Sequence, residues 1–127
     1  MRGNSMMRVI LALFLSMSAG VSIAGGRYAD PPPNLVEVQK ASQSALDAAK
    51  QGNKDAALDS AKQARKLAVA SYKEKSTMPM QNSSSRLKAV IADLENGGQP
   101  TTAVTTLEEV VKLINDEVEY YKKEGKL

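Results

Sequence analysis

From residue 34 onward apolar side chains recur at every third or fourth position, and no stretch alternates apolar with polar for long enough to predict a strand. Four segments carry this spacing, at about residues 34–51, 54–74, 83–96 and 101–123. In the first, Leu35, Val38, Ala41 or Ser42, Ala45 and Ala49 form an inner stripe. Asn34 is placed to cap it, with Glu37 three residues on as in a capping box, and Gly52 to end it. Asn53 then caps the second, in which Ala57, Ala61, Ala64, Ala68 and Ser71 share one face flanked by Leu58 and Leu67.

Pro79 sits in the stretch 75–82, which is therefore expected to be a linker, with the third helix capped from Ser83 to Ser85. Its apolar face is Leu87, Val90, Ile91 and Leu94, and Gly97 and Gly98 close it. Pro100, Thr101 and Thr102 open the fourth helix. Here Val104, Leu107, Val111, Ile114, Val118 and Tyr121 repeat at alternating steps of three and four, the seam of a bundle helix. Aligning Gly52 with Gly97 superposes Ala45, Leu46 and Ala49 on Val90, Ile91 and Leu94, so the chain reads as two copies of one helical hairpin. Short turns and two Ala faces that can approach to the lower end of the ~8–10 Å range predict an all-α, up-down-up-down four-helix bundle over residues 34–124.

The first 33 residues have a different grammar. Arg2 and Arg8 precede an apolar run from Val9 to Met17, and Ser22 and Ala24 supply the small residues of a cleavage site, so residues 1–24 are expected to be a signal peptide cut after Ala24. The run is about half the ~20 residues of a membrane-spanning helix, so no span is expected once the signal is cleaved. Residues 25–33 lack periodicity, and Pro31, Pro32 and Pro33 favour extended geometry, which predicts a tether.

Removing the leader takes Arg2 and Arg8 from 17 basic side chains, leaving near balance with the 14 acidic ones. The basic precursor therefore gives no reason to expect nucleic acid binding, which needs a clustered positive footprint. Cys is absent, which excludes disulfides, thiolate metal sites and a lipid-modified N-terminal cysteine. Export without Cys suits a periplasmic or secreted protein. His is absent as well, and with it the commonest general base, the Glu-x-x-His pair of a di-iron bundle and a haem imidazole. The residue chemistry predicts no enzyme.

Two constellations remain as candidate ligands. Met78 and Met80 flank Pro79 and are the only methionines outside the leader, and thioethers suit soft ions such as Cu(I) or Ag(I), so a copper ion is the candidate cofactor. The opposing expectation is that they fill gaps in the core. Asp55 with Asp59, and Glu108, Glu109, Asp116 and Glu117, offer carboxylates for a hard ion. Nearby lysines, such as Lys62 beside Asp59 and Lys122 and Lys123 beside Glu119, read them as surface ion pairs instead.

The rhythm of residues 38–68, with an Ala- and Lys-rich helix, a Gly-containing turn and a second helix ending in an Ala-Lys pattern, resembles the bacterial periplasmic small metal-binding proteins, the SmbP-like family. The resemblance extends more weakly to about residue 114. It implies a helical hairpin fold and metal-ion binding or buffering in the periplasm, through histidines. At the positions where those imidazoles are expected this chain has Ala41, Ala48, Asn53, Ser60 and Leu67. Two functions follow as expectations: an exported metal-binding protein, or a structural or protein-interaction module of the cell envelope that keeps the bundle without the ligands. The protein partner of the second is not specified by the residues.

Overall fold

The structure is a computed structural model that describes residues 28–127. The expected signal peptide, and residues 25–27 of the expected tether, lie outside the described residues. Among the described residues there are four α-helices and no strand: α1 Leu35–Lys50, α2 Lys54–Glu74, α3 Met78–Glu95 and α4 Val104–Lys123, the last preceded by a 3₁₀ turn at Pro100–Ala103. Packing contacts run from α1 to α2, α2 to α3, α3 to α4 and α4 back to α1, so the helices close a ring around one core. None of these helices is long and apolar enough to cross a membrane.

α1 begins differently from its expected cap. Asn34 takes a left-handed conformation, φ 66°, and its side chain makes no capping bond. Asn tolerates that region better than other non-glycine residues. Its backbone carbonyl accepts from the Val38 amide at 2.8 Å, the first helical bond. The α1–α2 turn matches the expectation closely. Gly52 has φ 74°, its amide donates to Ala49 and that of Asn53 to Ala48, a Schellman closure, and the Asn53 side chain accepts from the Ala56 amide at 3.2 Å. The same closure ends α3, where Gly97 has φ 93° and the amides of Gly97 and Gly98 reach Leu94 and Asp93. The two hairpins thus share their chain reversal, although the second inserts a 3₁₀ turn before α4.

The expected linker at 75–82 is shorter, and α3 starts five residues earlier than Ser83, at Met78. Pro79 lies in the first turn of the helix, where an amide hydrogen has no intrahelical acceptor to serve and a fixed φ near −65° is already helical. A proline that would break a helix interior here opens one. The linker is reduced to the extended Lys75, Ser76 and the N-cap Thr77.

The core combines two kinds of surface. Ala57, Ala61, Ala64, Ala68 and Ser71 of α2 are wholly buried, while α3 and α4 contribute Met80, Leu87, Val90 and Leu94, and Leu107, Val110, Ile114, Val118 and Tyr121. In α1, Ser42 rather than Ala41 is the buried residue of the inner stripe. The described part of the expected tether is packed down. Pro32 is buried, the Tyr121 hydroxyl donates to the Tyr28 carbonyl at 2.8 Å, and the Tyr28 hydroxyl donates to the Ser76 carbonyl at 3.3 Å.

Candidate functional site

The early start of α3 decides where the two thioethers go. Both lie in its first turn, two residues apart and hence about 200° apart around the axis. Met80 is 1% exposed and belongs to the core; Met78 is 52% exposed. The sequence pairs them as neighbours across a proline, whereas the helix assigns one to the interior and one to solvent. Met80 fills volume beside Leu87, as expected for a flexible core side chain.

The candidate carboxylates are dispersed over α2 and α4, and two of them are held in ion pairs. Glu109 accepts from Arg86 across α3 and α4 at 3.0 Å, and Asp116 accepts from Lys112 one turn away at 3.0 Å. Lys62 pairs with Glu95 of α3 at 2.9 Å rather than with Asp59 on its own helix. The hydrogen bond and charge of Glu95 raise the Lys62 ammonium above its usual pKa, and Asp59 adds to this through its field alone. Glu117, placed by sequence among the solvated carboxylates, is 4% exposed. Among the described residues no three His, Cys, Asp or Glu side chains are grouped so as to hold a metal ion.

Two grooves run along α1. On one side, a groove of about 580 Å³ is lined by Gln39, Lys40, Gln43, Ser44, Asn115 and Glu119. Its two walls are tied where the Gln39 side-chain amide donates to the Asn115 side-chain carbonyl at 3.0 Å. Gln43 is oriented by a bond to Asp47, one turn on, at 2.9 Å. On the other side, a groove of about 390 Å³ between α1 and α2 is lined by Glu37, Ala41, Ser60, Gln63 and Leu67, again with Lys40 and Ser44. Lys40 and Ser44 therefore form a ridge between two grooves.

Chemically, this face offers amides and hydroxyls that can both donate and accept, one ammonium, and carboxylates at Glu37 and Glu119. It contains no group with the lone pair of an imidazole. Three of the five positions at which the family resemblance calls for histidine, Ala41, Ser60 and Leu67, come together in the α1–α2 groove. Of the other two, Ala48 is at the core boundary and Asn53 caps α2. The Gln39–Asn115 groove was not singled out by sequence reasoning. Its signal is the polar rows Gln39, Gln43 and Asn115, Glu119, each spaced by four and bordering an apolar stripe.

No protein-family model matches the sequence, and no curated protein or solved structure matches it significantly.

Proposed function

We propose that the chain is an exported, non-catalytic binding protein of the cell envelope, an up-down-up-down bundle that presents α1 to a polar protein partner. The observation that carries this reading is the ridge of Lys40 and Ser44 between a groove lined by the amides of Gln39, Gln43 and Asn115 and a more apolar one in which Ser60 and Gln63 stand beside Ala41 and Leu67. Amides and hydroxyls recognise a partner by hydrogen bonds and tolerate water in the interface. The periplasmic or secreted location rests on the leader read from the sequence.

The metal-binding reading draws on the resemblance to the small metal-binding proteins; of the five positions at which it calls for histidine, Ala41, Ser60 and Leu67 line one groove. Methyl, hydroxyl and isobutyl groups at those positions do not ligate copper, nickel or zinc as imidazole does. A soft ion at α3 would find Met78 at the surface and Met80 in the core.

One experiment separates the readings. The exported protein is titrated with Cu(I), Cu(II), Ni(II) and Zn(II) by calorimetry, and a photo-crosslinking residue is placed in cells at Gln43 or, as a control, at the exposed Lys88 of α3. The expected result is no ion bound more tightly than about 100 μM, roughly 5.5 kcal/mol, and a discrete protein adduct from position 43 alone. Tight Cu(I) binding that disappears when Met78 and Met80 are both changed to Leu would replace this reading with metal handling.

A further inference from the structure

The large hydrophobic side chains that stand exposed among the described residues are Tyr28, Met78 and Leu127. They come from three distant parts of the sequence, yet a chain of contacts draws them to one end of the bundle. Tyr28 bonds to the Ser76 carbonyl, two residues before Met78. Lys75 donates to the Asp30 carbonyl at 3.4 Å and lies 5.5 Å from the centroid of the Tyr28 ring. Asp30 in turn pairs with Lys126, the neighbour of Leu127, at 3.4 Å. Scattered single hydrophobics on a surface call for no explanation, but this set is not scattered.

The same end is rich in lysine. Lys73 closes the last turn of α2, Lys122 and Lys123 close that of α4, and Lys75 and Lys126 follow the two helices. The nearby carboxylates are Asp30, already paired with Lys126, Glu37 in the first turn of α1, and Glu74 and Glu124. Helix macrodipoles account for basic residues in the last turns. They do not account for an exposed methionine and tyrosine among them. The opposite end, around the turns at Gly52 and Gly97, also carries Lys50 and Lys54, but against Asp47, Asp55, Asp93 and Glu95, and the side chains exposed between them are polar: Gln51, Asn53, Asn96 and Gln99.

We propose that the lysine-rich end of the bundle is a docking surface for an anionic lipid bilayer, with Tyr28, Met78 and Leu127 entering the headgroup region and the lysines meeting lipid phosphates. Several features select a bilayer as the occupant. Tyr places an apolar ring and a polar hydroxyl at the boundary between lipid and water, and lysine stems lie along apolar surface while their ammonium groups stay hydrated. Five lysines against four carboxylates leave this end with a positive excess that complements a negative surface, to which each basic side chain adds roughly a fivefold gain in partitioning. Docking is therefore at the surface, by the end of the bundle, and is independent of the partner proposed for α1.

The test is co-sedimentation of the exported protein, its N-terminus established by mass spectrometry, with vesicles of phosphatidylglycerol or of phosphatidylcholine. The expected result is at least tenfold stronger partitioning onto phosphatidylglycerol, reduced by high salt. The double variant Lys122→Glu, Lys123→Glu should lose at least tenfold, and Met78→Ser severalfold. Lys50→Glu with Lys54→Glu, at the other end, should change partitioning by less than twofold. All four substituted lysine positions are at the surface, and circular dichroism reports whether each variant keeps its helix content. Equal binding to both vesicle types, no sedimentation with either, or equal losses from the two lysine pairs would overturn the proposal.

Discussion

The inner faces of α2 and α4 are built on opposite plans. α2 offers the core Ala57, Ala61, Ala64, Ala68 and Ser71, whereas α4 offers Leu107, Val110, Val111, Ile114, Val118 and Tyr121. A face of methyl groups contributes little volume and lets neighbouring backbones come close; a face of large side chains fills the space between more distant ones. Because α2 packs against both α1 and α3, its thin face sets two helix separations at once. The core is therefore sensitive to removal of atoms on α4 and to their addition on α2.

The largest effect is expected from Leu107→Ala. Leu107 is fully buried, so truncation leaves a cavity and costs about 2–5 kcal/mol in denaturant unfolding. Ala64→Leu should follow, at about 1–3 kcal/mol, because added methylenes have no room between helices held at alanine distance. If Ala64→Leu were tolerated to within ~0.5 kcal/mol, α2 would not be setting the spacing and the contrast between the two faces would fail.

Each plan was legible in the sequence to a different degree. All five buried positions of α2's inner face are the ones its periodicity predicts, because an alanine row bounded by charged residues admits one inward orientation. On α4 the alternating three-four seam finds Leu107, Val111, Ile114, Val118 and Tyr121 but misses Val110 and Glu117, and it includes Val104, which is half-buried. A coiled-coil seam is narrower than the stripe a bundle helix buries, and the missed residues lie on its flanks. Pro79 misled for a positional reason, since the residue alone does not say whether a proline opens a helix or prevents one. The contact of Tyr28 with Tyr121 spans 93 positions, and no local pattern encodes it. The α1 grooves were equally hidden, because they exist only once Asn115 and Glu119, or Ser60 and Leu67, are brought beside α1.

The chain reversals sharpen the comparison of the two hairpins. Gly52 and Gly97 both have positive φ, and a Cβ added to either meets nothing within 4 Å. Substitution by Ala is therefore opposed by backbone conformation alone, and Gly52→Ala and Gly97→Ala should each cost about 1–2 kcal/mol. Equal costs in thermal unfolding would show that the two turns are energetic as well as geometric equivalents. A much smaller cost at Gly97 would mean that the 3₁₀ turn at Pro100–Ala103 lets the second hairpin absorb the change.

The smallest effect is expected where the α2 plan extends into its neighbours. Ser42, Ser71 and Ser83, from α1, α2 and α3, are wholly buried, and among the described residues their hydroxyl oxygens have no hydrogen-bond partner. A serine in such a place acts as a slightly larger alanine carrying a desolvated hydroxyl, which favours the unfolded chain. Ser83→Ala should leave the denaturant midpoint unchanged to within the equivalent of ~0.5 kcal/mol or raise it, and Ser42→Ala and Ser71→Ala should do the same. A loss of more than about 1 kcal/mol in any of them would show that the hydroxyl holds a bond in solution. The close approach of these helices would then depend on a polar link as well as on small side chains, and the distinction between a spacing face and a filling face would have to be redrawn around that serine.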